Sequence, residues 1–448
     1  MPTGRVLPDE RHRRDVAGIR AMGENDFSGG GHDATSRGGV RMMRRWVILA
    51  ATLASFMAPP ALAQPPAKRD AIRIGILSDL SGSFADVAGP GSVVAAQLAA
   101  EDFGGRAAGL PVQILSGDHQ NRADTGSALA RRWFDTEGVD AVVDLPNSAI
   151  ALAVGEVART ANRVALVTAA VASRLTGEAC SPNLIHYSLD TWSMSNVPSR
   201  ALVQAGGTSW FYVTADYAFG HDLEKQSMDA VTRAGGTVLG SVRHPLGTTD
   251  FSSVLLQAQA SRAKVVALAN SQADFINSMK QTSEFGLARR GQRVVGLAVY
   301  VSDIVSLGLE ATQGVTVVGN WYWDLNEGTR AFARRFAEKM GGRMPTDLQA
   351  NVYAAVTHFL RAADALGQST DGQAVVARMK AMPTEDTIFG RGTIRADGRR
   401  ISPVYVFNVK APSESRGRYD VYKLEREVPA EEAYRPIGQG GCPLVRGG

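Results

Sequence analysis

Residues 72 to 102 read IRIGILSDLSGSFADVAGPGSVVAAQLAAED, and the organisation of the whole chain can be worked out from them. Ile72 to Leu77 is a short apolar run, rich in β-branched residues and carrying one charge, which predicts a strand buried on both faces of a parallel sheet. A polar loop punctuated by glycine follows. Val93, Val94, Ala96, Leu98 and Ala99 then recur at helical spacing behind Pro90 and Ser92, which suit a first helical turn. Strand, long loop and helix make the unit of a doubly wound sheet, whose ligands bind in loops at the carboxyl ends of the strands.

The unit repeats downstream. Val112 to Ser116, Ala141 to Leu145 and Val164 to Thr168 read as further strands, each followed by a polar loop: Gly117-Asp118-His119-Gln120-Asn121, Pro146-Asn147-Ser148 and Ala169-Ala170-Val171. Four such units in a row predict a parallel sheet with right-handed crossovers. A second series starts after Asp190, with a helix over 191–205, a strand over Trp210 to Thr214, and a helix from Gly220 to Ala234 closed by Gly235-Gly236. Val238 to Arg243, Val265 to Ala269, Val294 to Ala298 and Val315 to Gly319 are expected to complete its sheet. The fold class is therefore α/β, with two doubly wound parallel-sheet lobes. The expected boundaries are 70–190 and 191–318 for the first parts of the two lobes, a helical return to the first over 319–388, and a return to the second with a tail over 389–448.

Composition narrows the function. The 448 residues include 44% hydrophobic and 21% charged, enough for real cores. The net charge of +4 is concentrated in residues 1 to 63; the rest carries 39 basic and 38 acidic groups, with no footprint for nucleic acid or a membrane surface. Arg41, Arg44 and Arg45 precede the apolar run Trp46 to Met57, and Ala61-Leu62-Ala63 follows, the pattern of a cleaved secretory signal peptide over 42–63. Residues 1 to 41 are expected to be disordered or an upstream extension, and Gln64, where a lipoprotein has cysteine, points to a soluble exported protein. Cys180 and Cys442 are the two cysteines. An exported chain permits their pairing across about 260 residues, against the alternative of two separate buried thiols.

At this point the residues resemble a known family: the type I periplasmic solute-binding proteins of the branched-chain amino acid (leucine/isoleucine/valine) class that serve ABC importers. The resemblance rests on Ile72 to Leu77 with the Ser81-Gly82-Ser83 turn, on Gly117 to Gln120, on Thr168-Ala169-Ala170, and on Asp216-Tyr217-Ala218-Phe219-Gly220. It implies a periplasmic receptor with a multi-strand hinge and an interlobe cleft for one small solute, nominally an apolar amino acid, with aromatic acids or amide and urea solutes as the alternative, or a role as the sensing part of a signalling system. Its partners would be membrane permease and ATPase subunits; it would act as a monomer without cofactor or metal. The family's carboxylate grip falls on Asn147, Ser148, Ala169, Ala170 and Val171. Val171 stands where amino-acid binders of the class place threonine, and Val87 where they place an aromatic, so the pocket is expected to be apolar. Phe219 matches a stacking tyrosine, and Asp274 lies near the acid that receives an α-ammonium, with helix capping as the competing role. Phe84 and Tyr300, in strand-following loops, are further candidate walls. Trp192, Trp321, Tyr322 and Trp323 are expected to pack at the lobe junction.

Catalysis is not expected. The seven histidines have no metal-ligand spacing, no Gly-x-Ser-x-Gly elbow or phosphate loop occurs, and Gly89-Pro90-Gly91 lacks the dinucleotide fingerprint.

Overall fold

The computed structural model describes residues 69 to 445; the expectations for residues 1–41 and for a signal peptide over 42–63 lie outside the described residues. The apolar run that opens the chain forms β1 (Ile72–Ser78), and its alternation sorts two cores. Ile72, Ile74 and Ile76 enter one cluster, and Leu77 enters another on the opposite face with Trp133. Gly75 and Gly117 both lie under that indole, where an added Cβ would overlap the Trp133 ring.

The first half continues through α1 (Gly89–Asp102), β2 (Arg106–Ala107), β3 (Leu110–Asp118), α2 (Ala123–Asp135), β4 (Ala141–Asp144), α3 (Ser148–Thr160), β5 (Val164–Val167) and β6 (Leu184–His186). Its six strands run in the order β2-β3-β1-β4-β5-β6. All but β2 pair in parallel, with Ile74 opposite Ile114 on one side and Ala141 on the other. The second half holds α4 (Thr191–Gln204), β7 (Ser209–Ala215), α5 (Ala218–Arg233), β8 (Thr237–His244), α6 (Ser252–Ala260), β9 (Val265–Ala269), α7 (Gln272–Glu284), β10 (Arg293–Gly296), α8 (Val301–Leu307) and α9 (Leu309–Thr312). Its sheet is parallel, in the order β10-β9-β7-β8.

Two expectations are corrected here. The run at Val315 to Gly319, read as a strand of the second parallel sheet, is β11 (Thr316–Gly319), and it pairs antiparallel with a much later strand, β15 (Val404–Val409). With β16 (Tyr422–Val428) they form a separate three-stranded sheet. A short buried run fixes burial but not direction, which here is set by a partner some ninety residues away. The return to the second half also starts later than residue 389. After α10 (Glu327–Lys339), α11 (Asp347–Leu366) and α12 (Gly372–Ala381), the strands β12 (Thr384–Asp386), β13 (Gly390–Ile394) and β14 (Arg400–Ile401) make a small antiparallel sheet. Its Ile388, Phe389 and Ile394 belong to the first-half core with Phe359 and Tyr187.

The chain thus passes between the halves after β6, after β11 and after β14. These crossings bury ionic groups. Arg399 pairs with Asp190 at 3.0 Å, with side chains 1% and 3% exposed. It also donates to His186 Nδ1 at 2.8 Å, and burial beside Arg399 holds the His186 pKa well below its usual value, keeping the ring neutral. Trp321 packs edge-on against Phe332, and the Tyr322 and Trp323 side chains both donate to the Tyr419 carbonyl, so the aromatics of 321–323 serve packing at the junction. A final helix, α13 (Ala430–Ala433), leads into a tail that returns to the first half. There Arg435 donates to the Ser173 carbonyl and Cys442 is bonded to Cys180, with Cα atoms 5.6 Å apart. No helix among the described residues is long and apolar enough to cross a membrane.

Candidate functional site

The carboxyl ends of β1, β4 and β5 bring three loops to one rim, where buried carboxylates hold them in place. Asp79 accepts hydrogen bonds from the Gly82 and Phe84 amides at 2.8 and 3.0 Å and from the Asn121 side chain at 2.5 Å. The β1 loop therefore curls around a fully buried carboxylate and presents Phe84 to the cavity between the halves.

Asp144 ties the other two loops. It accepts from Ser78 Oγ at 2.6 Å and Thr168 Oγ1 at 3.3 Å, while its carbonyl accepts from the Thr168 and Ala169 amides at 3.1 and 3.3 Å. Burial pushes its carboxyl up to about 6, and the hydrogen bonds from Ser78 and Thr168 offset only part of that. Asp144 and Leu145 have φ of +89° and +62°, a left-handed conformation that costs non-glycine residues about 1–3 kcal/mol each and survives only where surroundings enforce it. That bend aims Pro146 and Ser148 at the other half. Asn147, in contrast, is used locally: its side chain accepts from the Ala149 amide at 2.9 Å and caps α3.

The loop after β5 is tied to the crossings. The Ala170 carbonyl accepts from Ser188 Oγ at 2.6 Å and bonds His186 Nε2 at 2.7 Å, and the Ala170 side chain joins the core beneath the sheet. The Ala170 and Val171 amides have no hydrogen-bond partner among the described residues. On the facing rim, α5 and α7 begin at Tyr217 and Ser271 without a side-chain cap, leaving first-turn N–H groups and the positive helix ends unsatisfied.

A cavity of about 280 Å³ lies between the rims. Six of the nine ligand positions expected from sequence line it: Phe84, Ser148, Ala169, Val171, Phe219 and Tyr300. Val87, Pro146, Tyr217, Ser271 and Leu348 complete the wall, with no charged side chain among them. Burial raises the Tyr217 and Tyr300 pKa values, so both phenols stay protonated donors at neutral pH. Leu348 arrives from the start of α11, which no local sequence signal connects to this loop cluster. Ser271 was open to detection as the first residue to follow β9 and its Asn270.

Asn147, Ala170 and Asp274 do not line the cavity. Asp274 is 2% exposed and its two carboxylate oxygens accept from the Gly247 amide at 3.0 and 3.3 Å. It thereby fastens the loop after β8, and burial pushes its carboxyl up to about 6. The described residues contain no cluster of three or more side chains able to hold a metal ion.

Comparison with known proteins fits this geometry. A family model described as "Periplasmic binding protein" matches residues 71–417. A periplasmic binding protein from Burkholderia mallei is 41% identical, with a TM-score of 0.82 over 84% of this chain and 100% of that one. A structure from Burkholderia xenovorans LB400, described as a branched chain amino acid ABC transporter periplasmic ligand-binding protein, is 38% identical with a TM-score of 0.74, covering 83% of this chain and 99% of its own. The Leu/Ile/Val-binding protein homolog 6 of Brucella suis biovar 1 is 25% identical over 344 residues, 75% of this chain and 86% of the relative. With two parallel-sheet halves, three crossings and a small cavity between strand-following loops, the chain belongs to the type I periplasmic binding proteins of the branched-chain amino acid family, the solute-binding receptors of ABC transporters.

Proposed function

We propose that this receptor captures a small apolar carboxylate, an aromatic acid or an apolar amino acid, and delivers it to the permease and ATPase subunits of an ABC importer. The observation that carries the reading is the make-up of the cavity: an unpaired amide at Val171 and the Ser148 hydroxyl on one side, and uncharged aromatic and aliphatic walls elsewhere. Main-chain donors and a helix N-terminus can bind a carboxylate without an arginine. The cavity is small and walled from both rims by eleven residues, which favours a guest of single-ring or amino-acid size. By touching both rims at once, such a guest stabilises the closed arrangement, which the membrane subunits then recognise.

A thermal-shift and calorimetry panel of benzoate, 4-hydroxybenzoate, leucine, valine and urea tests the reading. A bound carboxylate at a hundred times its dissociation constant stabilises the fold by about 2.7 kcal/mol. A response to urea alone, or to none of the carboxylates, overturns it.

A further inference from the structure

Behind Tyr300 lies a second cavity, of about 320 Å³, walled by β11, the crossing at Gly319–Tyr322, the start of α11, and strands β15 and β16. Tyr300 lines both cavities, and Asp347 of the second is the chain neighbour of Leu348 in the first. No residue of the Pro146–Ser148 or Ala169–Val171 loops reaches it. The two cavities therefore share Tyr300 as a wall, and the second lies away from the carboxylate grip.

Its chemistry differs from that of the solute cavity. Asp347 is partly accessible and lines it, and no lysine or arginine does. Asp303 lies behind Tyr300: one oxygen accepts from the Tyr300 amide at 2.9 Å, and the other, fully buried, has no partner among the described residues. Three rings of the wall pack together, Tyr322 with Tyr422 at 5.0 Å, Phe407 with Tyr422 at 5.4 Å and Tyr322 with Phe407 at 5.8 Å between centroids. The two phenols of this group are not alike. The Tyr322 hydroxyl donates to the Tyr419 carbonyl at 2.6 Å and accepts from the Val421 amide at 3.0 Å. The Tyr422 hydroxyl, on a side chain 7% exposed, has no partner among the described residues, and neither does the buried Trp321 indole N–H. Buried phenols are normally satisfied, so an unpaired one beside a carboxylate and ring faces marks a place for a polar guest.

We propose that this second cavity is a cation-accepting subsite, so that the solute is a carboxylate whose far end carries an amine. The proposal rests on the carboxylate reading above and adds a second pole to it. An ammonium is the group that suits carboxyls without a counter-cation, aromatic faces and a free phenol oxygen together. Burial pushes Asp347 up to about 7 and Asp303 to about 8, the latter also raised by the like charges of Asp347 and Asp86. Tyr300 and Tyr422 face the same space and stay protonated. An arriving ammonium favours the ionised carboxylate, whose O–H proton passes to the buffer. Binding of the amine pole therefore releases a proton near pH 7, and tightens as pH rises through that range.

Calorimetry with 4-(aminomethyl)benzoate against its neutral counterpart 4-methylbenzoate decides the matter. The protein should bind the amine probe about tenfold more tightly at pH 7.5, with proton release seen as a buffer-dependent heat for that probe alone. Asp347→Asn should bring the ratio of the two affinities near one. Tyr422→Phe, which removes one oxygen and no charge, should lower the ratio several-fold and tests the subsite even if the Asp347 variant misfolds. If 4-methylbenzoate binds as well as the amine probe, the cation subsite is wrong and the carboxylate receptor stands. If neither probe binds, both readings fall.

Discussion

The two rims of the solute cavity are built differently. On the first half, Asp79 and Asp144 are fully buried, each gathers hydrogen bonds from more than one loop, and a strained bend at Asp144-Leu145 holds Ser148 in position. On the second half, Tyr217, Phe219 and Tyr300 supply aromatic surface, and α5 and α7 start uncapped. On the proposed reading the first rim is a polar grip, ordered by these contacts before a guest arrives, which lowers the entropic cost of binding. The second is an apolar wall whose open helix ends are satisfied best when the cavity is filled. On that reading, polar recognition and closure belong to different halves.

Removing the frame of the first rim should give the largest effect. Asp144→Ala leaves the Ser78 and Thr168 hydroxyls buried without their acceptor and should cost about 3 kcal/mol in urea unfolding at pH 5, together with loss of carboxylate binding. Because the folded-state pKa of Asp144 is raised to about 6, its stabilising contribution is present at low pH and is lost as pH rises through that value. The penalty of the variant should therefore shrink at pH 8, and a penalty that grows would contradict a frame held by a mainly protonated acid. Next comes the grip itself: Ser148→Ala should weaken carboxylates about tenfold in calorimetry with little change in unfolding midpoint. An unchanged affinity would move the grip elsewhere. The smallest effect is expected on the second rim, where Asp274→Asn keeps an acceptor for the Gly247 amide. Solute affinity should stay within about twofold, and because the Asp274 carboxyl is raised to about 6, the variant should equal or exceed the native protein in stability at pH 8. A severe loss of affinity would make Asp274 the ammonium acceptor after all.

What the sequence disclosed follows the same divide. Strand, loop and helix order was legible because buried parallel strands leave unmistakable β-branched runs, and the loops after them could be named in advance. Phe84, Ser148, Ala169, Val171, Phe219 and Tyr300 come together because the positions that follow strands in this topology face one another. Asp144 escaped notice because it closes a strand of apolar residues, and its role appears only once its left-handed backbone and its contacts from Ser78 and Thr168 are seen. Asp274 was placed correctly at the first turn of a helix, but its partner Gly247 comes from another loop, and that contact turns the carboxylate away from the cavity. Leu348 and Asp347 reach the cleft from the later return of the chain to the first half, and β11 takes its direction from β15. Each of these depends on a contact distant in sequence, where periodicity carries no information.

The bond between Cys180 and Cys442 spans 262 positions, and the chain has only two cysteines. Oxidation within one chain therefore has a single possible product and no scrambled isomers to sort. Cys180 has no partner within its own chain until Cys442, 262 positions later, has been synthesised, so the linkage closes only when nearly the whole chain exists.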